Sequence, residues 1–481
     1  MRRPAGCLRS AEPRRLPQAP SGRRARSILS SPKTNPMTTT SLPVVLQATP
    51  SAGAATQASV RFLDHLFAKT ERPEVAIRLW DGTCWPDGNA RPATLQLNHP
   101  GALRRMFSQG TEMGLAEAYL HNDFDIAGEF EAAFEMSDVL AKGLGWAQSL
   151  QLANLLRQLP GDGTGAAGER SFSSTQKKRH TLTRDREAVS FHYDISNDFY
   201  KLWLDSRMVY SCAYFQQEDQ HLESAQTAKF SHLCRKLQLR PGQRVLDIGC
   251  GWGGFAVYAT KHHRVQIVGV TLSGRQYQEG VARAEQEGLS SLVNLQLLDY
   301  REIDDPEGFD AIVSVGMAEH VGLENLPAYF RTVHDLLKPG GLFLNHAIGE
   351  GPRYRPSQGP SFINEYVFPD TDLPPIRAIT TDAEAAGFEV RDVENLREHY
   401  ALTLRHWGRR LAARHEEALQ YVNEPTYRVW RLYMAGSAHA FEYGGLALYQ
   451  TLLAKLPASG QLGLPLTRRA WYEQNREMPC Q

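Results

Sequence analysis

The chain has 481 residues, which allows two or three domains. Its 53 Lys and Arg balance 53 Asp and Glu. It therefore lacks the basic surplus that phosphate binding leaves behind, which argues against nucleic acid as the main partner, although a local basic patch for anionic lipid stays open. No apolar run approaches the roughly 18 residues of a membrane span. The 6 cysteines, at 7, 84, 212, 234, 250 and 480, include no CxxC pair, and they read as reduced thiols of a cytoplasmic protein rather than a disulfide frame.

Residues 1–57 read as a disordered leader. Up to about Asn35 it is rich in Arg, Pro and Ser and has no apolar core, so it is not a secretory signal. An organellar transit peptide, a plain disordered leader, and an upstream start codon ahead of Met37 all remain open. Residues 58–143 read as a small α+β domain. "VRFLDHLFAKT" has helical spacing, "VAIRLWDGTCW" and "ATLQLNHP" alternate like strands around a turn at Asp81-Gly82, and "GALRRMFSQG" and "GLAEAYLHNDFDI" bring in helix. Residues 144–187 are expected to be a linker, Gly/Ser-rich and then charged from 161 on. A large α/β domain follows over 188–460. "QRVLDIGCG", "RVQIVGVT", "LVNLQLLD", "FDAIVSVG" and "GLFLNHAI" are short apolar runs separated by helical stretches, the pattern of strands buried on both faces of a parallel sheet. The region from Tyr400 to about Leu456 reads as mostly helical, and 461–481 as a tail.

In "VLDIGCGWGG", Gly249, Gly251 and Gly254 fit GxGxxG at the end of a strand. Glycines there let the backbone approach a ligand, and the next helix aims its N-terminus at it. A dinucleotide fold normally places an acid about twenty residues on, to hold a ribose. Here that stretch is the neutral "GVTLS". A methyltransferase using S-adenosylmethionine fits better, with Asp247 orienting the loop or meeting the cofactor's ammonium. A purely structural glycine turn is the bland alternative.

Several segments taken together resemble the cyclopropane fatty acid synthases, including the mycolic acid cyclopropane synthases. They are "FHYDISNDFYKLWLD", "YSCAYF", "AQTAK", "VLDIGCGWGG", "GVTLS" followed by Gln276, "VSVGMAEHVG", "LFLNHAIG", "FINEYVFPD", "HYALTLRHW" and "RLYMAGSAHAF". "IRLWDG" and "EAYLHNDFDI" look like the N-terminal domain of the longer bacterial members. The resemblance implies a Rossmann-like class I methyltransferase domain behind a small α+β domain. It implies S-adenosylmethionine held by Tyr210, Ser211, Asp247, Gly249, Gly251, Thr271, Leu272 and Gln276, with Asp299 and Tyr300 near the adenine. It also implies a bicarbonate ion held by Cys212, Glu319, His346 and Tyr400, with backbone near Gly316. No metal is expected.

The implied substrate is an unsaturated acyl chain of a phospholipid at the inner membrane surface. A homodimer is possible, as is membrane engagement by the N-terminal domain. The alkene is a poor nucleophile and the sulfonium methyl a strong electrophile. Methyl transfer would leave a carbocation, and a weak base must then remove a proton for the ring to close. Tyr200, Phe215 and Tyr366 are candidates for stabilising that cation on chemical type alone. A methyl- or methylene-branched product is the alternative to a ring. Ala318, Asp370, Asp372 and Glu442 depart from the usual family residues, and they put the acyl substrate and product in question rather than the cofactor.

Overall fold

The computed structural model describes residues 52–68, 75–109, 112–134, 146–161, 184, 185, 187, 192, 195–356 and 361–472. Most of the expected leader and linker and the end of the tail lie outside these residues.

The N-terminal domain opens on the helix Ala52–Leu66, whose buried Ala55, Ser59, Phe62, Leu63 and Leu66 follow helical spacing. Four strands follow: β1 (Val75–Arg78), β2 (Cys84–Trp85), β3 (Ala93–Leu97) and β4 (Phe124–Gly128), in sheet order β2-β1-β3-β4. Gly82 supplies the positive φ of the β1–β2 turn. The helices Ala102–Ser108 and Glu112–Leu120 connect β3 to β4. The expected boundaries shift at both ends. Helix begins at Ala52, inside the expected leader. The expected linker contains the helix Trp146–Gln158, which packs back on this domain: Gln148 donates to the His65 carbonyl at 3.0 Å, and Leu152 and Leu159 are buried.

The second domain is built on a seven-stranded sheet: β5 (Arg244–Ile248), β6 (Gln266–Thr271), β7 (Val293–Leu297), β8 (Phe309–Val315), β9 (Leu337–Glu350), β10 (Phe388–Asn395) and β11 (Leu446–Lys455), in order β10-β11-β9-β8-β5-β6-β7. β5 to β9 are parallel. β11 runs antiparallel between β9 and β10. The chain winds outward from β5 to β7 and then returns to β8, so a crevice opens beyond the C-terminal ends of β5 and β8, the usual ligand position in such sheets. β11 corrects the helical reading of the C-terminal region. "LALYQTLLAK" is rich in good helix formers, but pairing on both edges with β9 and β10 overrides that preference.

One apolar core joins the two domains. It runs from Phe62 and Tyr119 through Phe199, Trp203 and Tyr400 to Trp430. Arg428 pins the junction. It is buried, donates to the Tyr119 carbonyl at 3.1 Å, to Asn122 at 3.0 Å and to Asp125 at 3.1 Å, and lies over the Tyr119 ring. Among the described residues no helix is long and apolar enough to cross a membrane.

Candidate active site

A cavity of about 2270 Å³ opens at the crevice and reaches into the N-terminal domain. Every residue expected to hold cofactor or anion lines it.

The cofactor side is built on strand ends. Gly249 has φ +78°, and a Cβ there would stand 2.5 Å from Met317. Gly251 has φ +54°, and a Cβ there would meet nothing within 4 Å. The backbone is thus bared toward open space, as a cradle for a ligand requires. Gly253, also at positive φ, starts the helix Gly254–His263. Asp247 is 2 % exposed, burial pushes its carboxyl up to about 7, and its Oδ2 has no hydrogen-bond partner. Thr271 donates to Gln276 Oε1 at 2.8 Å, and Ser273 caps the helix Gly274–Gln286 by accepting from the Gln276 N–H. Two neutral side chains therefore stand where a dinucleotide fold keeps an acid. Asp299 is already engaged: Arg301 donates to its two oxygens at 2.8 and 2.7 Å. Tyr300 packs edge-on against Tyr329. Both border the cavity, but Asp299 offers a ligand less than its position in the sequence suggests.

Cys212, Glu319, His346 and Tyr400 reach the same cavity from four separate parts of the chain. Burial raises the Cys212 thiol, so it stays neutral, and its S–H points to the Ala213 carbonyl at 3.2 Å. Glu319 sits on the single helical turn Ala318–Val321. Burial raises its carboxyl to about 7 against the pull of the Glu319 and Ile348 backbone N–H groups, and Oε2 has no partner. His346 lies on β9, opposite Gln450 of β11. Burial holds the ring neutral. The Gln450 amide N–H donates to Nδ1 at 3.1 Å, which puts the ring proton on Nε2, an atom left without a partner. Gly316 donates to the His346 carbonyl at 2.8 Å and leaves space beside Glu319. Tyr400, on the helix Arg397–Ala412, packs against Phe441.

A buried polar atom without a partner costs about 1–3 kcal/mol. Two such atoms belong to residues that line this cavity, an acceptor on Glu319 and a donor on His346, and both call for a polar guest. A small oxyanion that also carries a hydroxyl satisfies both, so the residues present fit bicarbonate.

Three aromatic expectations are corrected. Tyr200, Phe215 and Tyr366 do not line this cavity. Tyr200 is buried in the shared core with its hydroxyl donating to the His192 carbonyl at 2.7 Å, Phe215 stacks on His406, and Tyr366 packs on Phe362. Among the rings that do line it are Phe362, Phe368, Tyr433 and Phe441, and Tyr433 accepts from the Tyr210 hydroxyl at 3.3 Å. Chemical type named plausible rings, but only packing decides which ones face the cavity. The departures also find places. Ala318 is buried in the same core cluster as Tyr329 and is not among the residues that line the cavity. Asp370 pairs with Arg184 at 2.6 Å, and the Asp372 N–H donates to the Glu319 carbonyl at 3.1 Å. Glu442 shares Arg405 with Glu131 of the N-terminal domain. Lys229 and Gln450 were not singled out as site residues. "AQTAK" marks Lys229 only as part of a segment, and no local signal marks Gln450.

The mycolic acid cyclopropane synthetase family model matches residues 180–451. The chain belongs to that family. It is 39 % identical over 400 residues to a probable fatty acid methyltransferase of Pseudomonas putida, covering 82 % of this chain and 95 % of the relative. It is 37 % identical over 364 residues to the cyclopropane-fatty-acyl-phospholipid synthase of Escherichia coli K12, covering 76 % and 88 %. The crystal structure of mycolic acid cyclopropane synthase CmaA1 complexed with SAH and CTAB aligns with a TM-score of 0.53 at 33 % identity, over 58 % of this chain and 99 % of that one. With the glycine cradle and this kinship, the protein is an S-adenosylmethionine-dependent methyltransferase of the cyclopropane synthase family.

Proposed function

We propose that the protein adds a one-carbon unit from S-adenosylmethionine to the double bond of unsaturated acyl chains of membrane phospholipids and closes a cyclopropane ring, with bicarbonate bound beside the reacting carbon. The observation that carries this reading is the pair of unpartnered buried atoms, Glu319 Oε2 and His346 Nε2, on the wall of a cavity whose other end is apolar. That end carries Phe62, Leu66, Leu95, Met106, Leu152 and Leu156 of the N-terminal domain beside the polar Ser108, Gln109 and Glu112, and its predominantly apolar surface suits a hydrocarbon tail. The name of the Escherichia coli relative supports the same substrate class.

Bound S-adenosylmethionine supplies an electrophilic methyl group, and bound bicarbonate supplies a weak base. The chain's own residues do the rest. Glu319 would accept from the bicarbonate hydroxyl and so orient it, while His346 Nε2–H and the Tyr400 hydroxyl would donate to its oxygens. Neutral Cys212 fills the remaining wall. Phe362, Phe368, Tyr433 and Phe441, which line the cavity, would exclude water and offer aromatic surface to a cation developing on the acyl chain. The enzyme would work as a cytoplasmic protein at the inner membrane surface, with the N-terminal domain engaging lipid.

The name of the Pseudomonas putida relative keeps a second reading in view, a methyl- or methylene-branched acyl product. Lipid mass spectrometry of cells expressing the chain, with NMR of the product, tests both. Gain of one CH2 with the alkene consumed and cyclopropane ring protons is expected. A branch methyl or methylene signal overturns ring closure, and unchanged lipids overturn the substrate.

A further inference from the structure

Lys229 sits in the middle of the helix Leu222–Lys236. It is 1 % exposed, yet it lines the cavity. Its one hydrogen bond among the described residues goes to Ser211 Oγ at 2.8 Å, its Nζ lies 4.7 Å from the centre of the Phe230 ring, and no carboxylate comes within ion-pair distance of it there. An ammonium has three N–H donors, so two remain open. Burial draws this ammonium down to about 8, against the fields of Asp205, Cys212 and Asp247.

Asp247 borders the same cavity with Oδ2 unpartnered. The cavity thus holds two buried groups of opposite charge, each with open valences, that do not pair with one another. Leaving both unmatched is costly, because a buried charge needs a partner. A guest with one anionic and one cationic group, spaced like the ends of an amino acid, satisfies both. Ser211 completes the arrangement: its oxygen accepts from Lys229, which leaves its O–H free to donate.

We propose that Lys229, together with Ser211, binds the carboxylate of the cofactor's amino-acid end while Asp247 takes its ammonium. This rests on the S-adenosylmethionine assignment and adds a residue to it. Lys229 thereby selects ligands that carry the carboxylate and leaves the adenosine contacts to the Gly249–Gly251 loop and the Thr271 strand end.

The test is calorimetry of the full chain with three probes: S-adenosylhomocysteine, its decarboxylated analogue, which keeps the amine, and 5′-methylthioadenosine, which lacks the whole amino-acid end. Lys229→Met should weaken S-adenosylhomocysteine about 10- to 100-fold, the worth of a lost charged hydrogen bond, and leave the other two probes unchanged. Asp247→Asn should weaken both amine-bearing probes and spare 5′-methylthioadenosine, whose binding also reports that each variant is folded. If Lys229→Met does not fold, Lys229→Gln carries the same expectation. Equal loss of all three probes, or no loss of S-adenosylhomocysteine, overturns the role of Lys229. So does a change confined to the bicarbonate dependence of activity, which would make Lys229 a counter-ion of the anion site. Failure of the unaltered chain to bind any probe overturns the cofactor assignment itself.

Discussion

The two ends of the cavity are built on opposite principles. At the sheet end, buried polar groups are left open: Asp247 Oδ2, Glu319 Oε2 and His346 Nε2 have no partners. At the N-terminal end most of the lining is apolar, with Phe62, Leu66, Leu95, Met106, Leu152 and Leu156 beside the polar Ser108, Gln109 and Glu112, and behind it Arg428 closes the domain junction onto Tyr119, Asn122 and Asp125. Stability favours satisfied polar groups everywhere, so the sheet end gives up stability for binding, whereas the N-terminal end gains stability and shape together. Open polar groups and apolar lining are thus divided between the two domains although one core joins them.

The strongest way to break this contrast is Gly251→Asp. Asp tolerates the left-handed backbone at φ +54° better than most residues, so the fold should persist while a carboxylate enters the open cradle. Calorimetry should find no measurable S-adenosylmethionine binding; unchanged affinity in a folded variant would sink the cofactor side.

Next in size is Glu319→Gln, which keeps the shape and replaces an acceptor oxygen with a donor. Ring formation should fall at least ~100-fold with cofactor affinity retained, and near-normal turnover would remove Glu319 from its role. The same variant has a stability signature. The Glu319 carboxyl is raised from its ordinary 4.5 to about 7. Its contribution to stability is therefore fully present below pH 4.5 and is lost as pH rises through about 7. The ligand-free variant should match the parent near pH 4 and exceed it at pH 8 by on the order of 1–3 kcal/mol. A difference independent of pH would mean that the carboxyl is not buried as described.

The smallest effect on turnover sharpens the other end. Arg428→Ala should cost about 2–4 kcal/mol in denaturant unfolding, because it strands buried acceptors. Activity on vesicles of unsaturated phospholipid should drop about tenfold, or ~1.4 kcal/mol, while S-adenosylhomocysteine affinity holds. Equal loss of both would show that the N-terminal domain merely props up the catalytic one.

Much of the fold was legible because it is local. The Val/Ile/Leu runs of β5 to β8 stand where their buried-strand pattern put them, and the glycines of "DIGCGWGG" turn where glycine is needed. β11 was not legible, since its residues form a strand only because β9 and β10 offer two edges. The helix Trp146–Gln158 escaped notice beside a Gly/Ser-rich stretch.

The sequence by itself determined which groups to look for. The glycine loop and Asp247 follow from a local motif, whereas Cys212, Glu319, His346 and Tyr400 are implied by the resemblance to the cyclopropane synthases; all of them border one cavity. Only the tertiary structure decided how those groups are set. It left Asp247 and Lys229 buried and apart, turned the His346 proton toward the cavity through Gln450, tied Asp299 to Arg301, and chose Phe362, Phe368, Tyr433 and Phe441 over Tyr200, Phe215 and Tyr366 as cavity rings. The reason is physical. Burial, hydrogen-bond pairing and the direction a ring faces depend on contacts between residues far apart in the chain, and no local pattern records them.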